Sequence, residues 1–270
     1  MTLLSTVNGK VNRSSGSGME SGCFKVQTSH YDSLFFGSVG TLVHLSQLQY
    51  EAFTQVLKER NLPQWNLEEY KKSLTSTGGI NRLFAWSNAN NLGLTRQDCV
   101  DIHARKSEIF QESMRKGLDV RPGVIQLLEQ ARAHGVKTAF VTTTPHGNVE
   151  AQFDGMKGLK QGLFDFYMSE ADEPKYGRGK PTADPYLFAM KTLNVSKPLV
   201  FEDSEISMKS PLAANLDVIA TPNNWCLNHN YSNALATVND TSDLFDKPAM
   251  NADQSSKLSE MLKNVRVRVD

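Results

Sequence analysis

Four short stretches hold the side chains that could do chemistry. The first, YDSLFFGSVGTLVH from Tyr31 to His44, has an apolar run at Leu34, Phe35 and Phe36, a tight turn opened by Gly37 and Gly40, and a second apolar pair at Leu42 and Val43. It reads as a strand feeding a glycine loop, and in an open α/β sheet backbone N–H groups at such a strand end gather ligands. The second is Thr142-Thr143-Thr144, directly after the compact strand Val136 to Val141. The third is the Gly179-Lys180-Pro181 turn, and the fourth is the acidic cluster Glu202-Asp203-Ser204-Glu205 behind the buried strand Pro198 to Phe201. Taken singly, each has an ordinary reading: a threonine after a strand is a helix cap, Gly-Lys-Pro is a turn, and acids at a strand end are solvated. His44 titrates near neutral pH and is a candidate base. His103, Arg105 and Lys106 share one helical pattern and either face a ligand or form a solvated face. Asp32, five positions before Gly37, belongs at the opposite end of the sheet.

The elements that must position these residues fall into three blocks. Residues 1–30 are rich in Ser, Gly, Asn and Thr and predict a flexible arm; they lack the apolar core of a secretory signal, and their composition also suits an organelle transit segment or a linker. Residues 48–117 show only helical spacing: Leu48 to Arg60, around Leu67 to Leu74, around Ile80 to Asn90, and Thr95 to Lys116 with Thr95 as N-cap. From Arg121 helix and strand alternate. Val124 to Ala133 is amphipathic and closed by Gly135; a helix over Asp184 to Leu193, a helix ending at Ala214 and a strand Asp217 to Ala220 follow. This alternation predicts an α/β fold with a Rossmann-like parallel sheet built from 31–47 and 118–235. The segment 236–270 reads as a tail with a terminal helix over Leu258 to Val265, and Trp225 as an anchor.

Composition narrows the function classes. Lys plus Arg and Asp plus Glu both number 29, so no field of one sign is available to hold nucleic acid or an anionic membrane. No apolar run approaches the ~18 residues a membrane helix needs. Cys23, Cys99 and Cys226 have no paired spacing, which points to a reducing, cytoplasmic setting, or an organelle interior if the arm is a targeting segment.

The four stretches, in this order, resemble the motifs of the haloacid dehalogenase (HAD) superfamily from about Ser33 to Pro222. Gly40, Thr41, Leu42 and Val43 match the first motif, but Gly37 stands where the family keeps its nucleophilic aspartate and Val39 where it keeps the general acid–base aspartate. The resemblance implies that Thr142, with Thr143 beside it, binds a phosphate oxygen, that Lys180 neutralises phosphate, and that Glu202, Asp203 and the Val39 carbonyl hold Mg²⁺. It also implies that 48–117 is an α-helical cap domain inserted after the first motif, closing over the site. Phe-Glu-Asp-Ser, Arg121-Pro122-Gly123 and Lys180-Pro181-Thr182-Ala183-Asp184-Pro185 look most like the β-phosphoglucomutase and phosphoglycolate phosphatase branch. Asn215 and Ser207 depart from glycines usual there, and Asn215 can still take a left-handed conformation at a helix end.

The family reaction needs one carboxylate to attack phosphorus, a second to protonate the leaving group, and Mg²⁺ bridging nucleophile and phosphate. Gly37 offers no side chain, and losing the nucleophile of a cooperating set costs on the order of 10⁶ in rate in a serine protease. Mg²⁺, which demands near-octahedral oxygen ligation, is expected to bind weakly or not at all. A phosphate cradle of loop N–H groups at Gly40 and Thr41, the Thr142 hydroxyl and Lys180 survives. The favoured expectation is therefore a catalytically silent binder of a phosphorylated metabolite or a protein partner. The alternatives are an enzyme using metal-bound water near Asp203 or a cap-side base such as His44, and a pure interaction scaffold.

Overall fold

The computed structural model describes residues 31–37, 39–74 and 78–244; the expected arm and the expected terminal helix lie outside them. Along the chain run β1 (Ser33–Gly37), α1 (Val39–Leu42), α2 (Ser46–Glu59), α3 (Leu67–Ser73), α4 (Gly79–Ala89), α5 (Arg96–Arg115), α6 (Val124–Ala133) and β2 (Lys137–Val141). There follow α7 (His146–Gly155), β3 (Phe166–Met168), α8 (Glu173–Tyr176), α9 (Asp184–Leu193), β4 (Pro198–Glu202), α10 (Glu205–Ala213), β5 (Asp217–Ala220) and β6 (Ala236–Thr237). The strands form one sheet in the order β3-β2-β1-β4-β5-β6, with every pairing parallel. From β1 the chain builds outward on one side through β2 and β3, then crosses to build the other through β4. The switch lies between β1 and β4, and a crevice opens there beyond the strand ends.

Parallel strands covered on both faces carry continuous apolar runs. Alternation assigns neighbouring residues to opposite cores: Phe36 stacks on Phe201 with centroids 5.0 Å apart, under α6 and α7, while Phe35 stacks on Tyr186 of α9 on the other face. The helical block 48–117 is a cap of four helices, with α2 starting two residues before the expected boundary and α5 packed along α7 of the core. Its two linkers pair at the hinge, where Val43 and Val120 form an antiparallel bridge. Local signals held where expected. Thr95 and Asp98 make a reciprocal capping box on α5, and Asn215 has φ of 57° between α10 and β5.

Two expectations need correction. The tight turn after β1 contains a turn of helix, α1, and the core does not stop at residue 235, since β6 adds a sixth strand at Ala236–Thr237. Arg121 ties this extension to the site loop. Its guanidinium is buried, is ion-paired with Asp240 at 2.8 Å, and donates to the carbonyls of Gly40, Thr221 and Asn239. Gly123, with φ of 84°, passes so close to the backbone of Thr241 and Ser242 that a Cβ would collide with it.

Candidate functional site

A cleft of about 700 Å³ separates the core from the cap, with Gly40, Thr142, Thr143, Lys180 and Asp203 on its floor. These residues come from the ends of β1, β2 and β4 and from the loop before α9, so the parallel register brings the four sequence stretches together. Asp32 is at the far end of β1, accepting hydrogen bonds from the backbone of Ser196 and Lys197. His44 is exposed and does not line the cleft; burial of its ring and then the Arg121 charge lower its pKa.

The place beside Gly37, expected to be empty, is filled. A Cβ built on Gly37 would fall inside the Glu202 carboxylate, and one built on Gly40 would fall on Asp203 Oδ2. Glu202 is fully buried, and its Oε1 accepts from Lys180 Nζ at 2.7 Å and from the Tyr186 hydroxyl. Burial and the Glu202 charge raise the Tyr186 pKa well above its ordinary value, so the phenol keeps the proton it donates. Lys180 also lies over the Tyr186 ring at 4.9 Å, and its side chain is only 8% exposed. The expected phosphate-neutralising ammonium is therefore already neutralised from within the protein.

Asp203 accepts from Asn223 Nδ2 at 2.9 Å and from Ser207 Oγ at 3.3 Å, and Ser207 also completes the Ser204 capping box of α10. That gives the serine at this usual glycine position a local reason. Thr142 Oγ1 donates to Thr144 Oγ1 at 2.9 Å and accepts from its N–H at 3.1 Å, so the hydroxyl also serves its own turn. Thr41 Oγ1 is buried with no partner among the described residues.

The donor set does not fit a resident Mg²⁺. Among the described residues no group of three or more Asp, Glu, His or Cys converges; Glu202 Oε1 is committed to Lys180 and Tyr186, which leaves its Oε2, buried and without a hydrogen-bond partner among the described residues, as the one oxygen of that carboxylate open to a cation. Val39 opens α1, one residue before Gly40.

The cap supplies the roof, including Tyr70, Arg82, His103, Lys106 and Phe110. Lys106 is 3% exposed and lies over the rings of Phe110 (4.4 Å) and Phe53 (5.1 Å), with no carboxylate partner among the described residues. Burial, then the Arg82 charge, brings its pKa down to about 7; burial, then Lys106, brings His103 down to about 4. Arg105, its neighbour on α5, turns outward to Glu59 and Glu108. Sequence reasoning missed Tyr70, Arg82, Asn223 and Cys226, though the run Gly78-Gly79-Ile80-Asn81-Arg82 at the start of α4 was a visible signal. The loop after β5 joins floor to roof. Its Asn223 holds Asp203, and its Trp225 reaches Tyr50 and Tyr70 of the cap, each at 5.9 Å.

A parallel sheet with a helical cap, and a cleft at the β1–β4 switch, define a capped α/β hydrolase scaffold. The profile of the haloacid dehalogenase-like hydrolases matches residues 40–221, and the chain belongs to that family. It is 30% identical over 208 residues to protein CbbY of Rhodobacter capsulatus, covering 75% of this chain and 90% of that protein. The crystal structure of CbbY from Rhodobacter sphaeroides in complex with phosphate aligns with a TM-score of 0.70 and 26% identity over 80% of this chain and 96% of that one. A mutant of the same protein in complex with xylulose-(1,5)bisphosphate aligns equally well. No helix among the described residues is long and apolar enough to cross a membrane.

Proposed function

We propose that this chain is a catalytically silent member of its family, which holds a phosphorylated small molecule between floor and roof without turning it over. The observation that carries this reading is the place beside Gly37: no carboxylate there faces the cleft, and the one that fills the space is buried and bound to Lys180 and Tyr186. Glu202 is not among the cleft-lining residues, which argues against its attacking a bound phosphate. Basic groups at the roof, with Lys106 foremost, favour an anionic guest, and the phosphate and xylulose-(1,5)bisphosphate complexes of the CbbY relative point to a sugar phosphate. Binding on this reading does not depend on Mg²⁺.

The test is turnover and binding on the same preparation. Purified protein is assayed with p-nitrophenyl phosphate and a panel of sugar phosphates that includes xylulose 1,5-bisphosphate, with and without Mg²⁺. No turnover is expected, together with a thermal shift from at least one sugar phosphate. A ligand at about 100 times its Kd adds about 2.7 kcal/mol of stability. Turnover at an ordinary phosphatase rate sinks the reading and revives a non-standard catalytic route. Silence without any shift leaves the scaffold reading instead.

A further inference from the structure

We propose that Glu202 is a built-in replacement for the carboxylate missing from β1: it fills the space beside Gly37 and supplies the counter-ion of Lys180, so that its Oε1 is withdrawn from metal ligation while its Oε2 is buried without a hydrogen-bond partner among the described residues. This goes beyond the reading of a silent binder, since it concerns the protein with nothing bound.

Three observations meet here. The first concerns space. Gly37 sits in a regular strand and is not among the glycines with positive φ, so its backbone suits any residue; what excludes a side chain is the Glu202 carboxylate. The second concerns charge. Lys180 is 8% exposed on its side chain, and its ion pair is with Glu202. Removing one partner of a buried ion pair leaves the other charge uncompensated, which is strongly destabilising. The third is the repetition of the arrangement one turn on, where the Asp203 carboxylate occupies the space a Cβ on Gly40 would take. Both glycines of the loop make room for acids at the end of β4. The Tyr186 hydroxyl, held by stacking on Phe35, gives Glu202 a second donor that a metal-ligating carboxylate would not need.

The substitution Gly37→Ala reads this contact directly. In an ordinary strand, alanine replaces glycine with equal or better stability. Here it is expected to lower the Tm of the full chain by more than about 4 °C. In a Lys180→Met/Glu202→Ala background, which removes both charges together, the same substitution is expected to leave the Tm unchanged or raise it. Insolubility of Gly37→Ala that this background rescues counts as the same result. An unchanged or raised Tm in the otherwise native chain, or an equal loss in both backgrounds, overturns the proposal. A second measurement uses the metal alone. Millimolar MgCl₂ is expected to leave the Tm of the native chain unmoved, or to raise it by an amount that Glu202→Gln does not change; a rise that Glu202→Gln abolishes overturns the proposal. Neither experiment involves turnover or an organic ligand. The turnover and binding assay therefore decides the silent-binder reading separately, and phosphatase activity would remove that reading without deciding this one.

Discussion

On the floor of the cleft the charges are matched over short distances, Lys180 with Glu202 at 2.7 Å and Asp203 with Asn223 at 2.9 Å. On the roof Lys106, more deeply buried than Lys180, has the faces of Phe53 and Phe110 and no carboxylate partner among the described residues. An internally compensated group gains little from a guest, because the guest must displace a good partner. An uncompensated one gains much, since its desolvation has already occurred on folding. The contrast teaches that, on the proposed reading, an anionic guest gains more from the cap than from the core, where the family's chemistry sits.

The largest expected effect breaks the floor. Glu202→Ala leaves Lys180 buried without an anion and should cost about 3–5 kcal/mol in urea unfolding, whereas Lys180→Met/Glu202→Ala should recover most of it. Equal losses in the two would show that the pair is not the unit it looks to be. Next, Lys106→Met should weaken any sugar phosphate found by thermal shift by about 2 kcal/mol, roughly thirtyfold. Lys180→Met should weaken it less, and the reverse order would invert the comparison.

The third prediction concerns pH. The Lys106 pKa of about 7 lies below the unfolded value of about 10.4, so between these values the unfolded chain binds more protons and stability rises with pH. Below about pH 7 both states are protonated and the full burial penalty applies. Lys106→Met should therefore stabilise the protein most near pH 6, with the gain shrinking toward pH 9; a gain independent of pH would mean that the ammonium is solvated. The smallest effect is expected at Thr142. Because its hydroxyl is bonded within its own turn, Thr142→Val should cost about 1 kcal/mol in stability and change ligand affinity by less than about threefold.

What the sequence disclosed was local or repeated. The bounds Asp184–Leu193 and Asp217–Ala220, the Thr95 cap and the left-handed Asn215 all follow from signals within a few residues of one another. The four site stretches were legible because parallel strands put their carboxyl ends side by side. Which way Glu202 turns was not, since that depends on an empty volume one strand away and on Tyr186 from another helix. Nor could spacing alone separate Lys106 from Arg105. Successive residues on a helix point about 100° apart, and only the packed cap decides which of the two is inward. A two-residue strand such as β6 carries too little pattern to read.

Arg121 ties the site loop to chain beyond the family-matched residues. Its cationic head is clasped by oxygens from the loop after β1, from the end of β5, and from Asn239 and Asp240, which lie beyond the family-matched residues. A fragment trimmed to residues 40–221 would sever the last two clasps and leave a guanidinium in the interior with its anion gone. The fold therefore uses chain on both sides of the profile-matched residues, β1 before them and Asn239 and Asp240 after them, and the latter hold the guanidinium that also binds the Gly40 carbonyl.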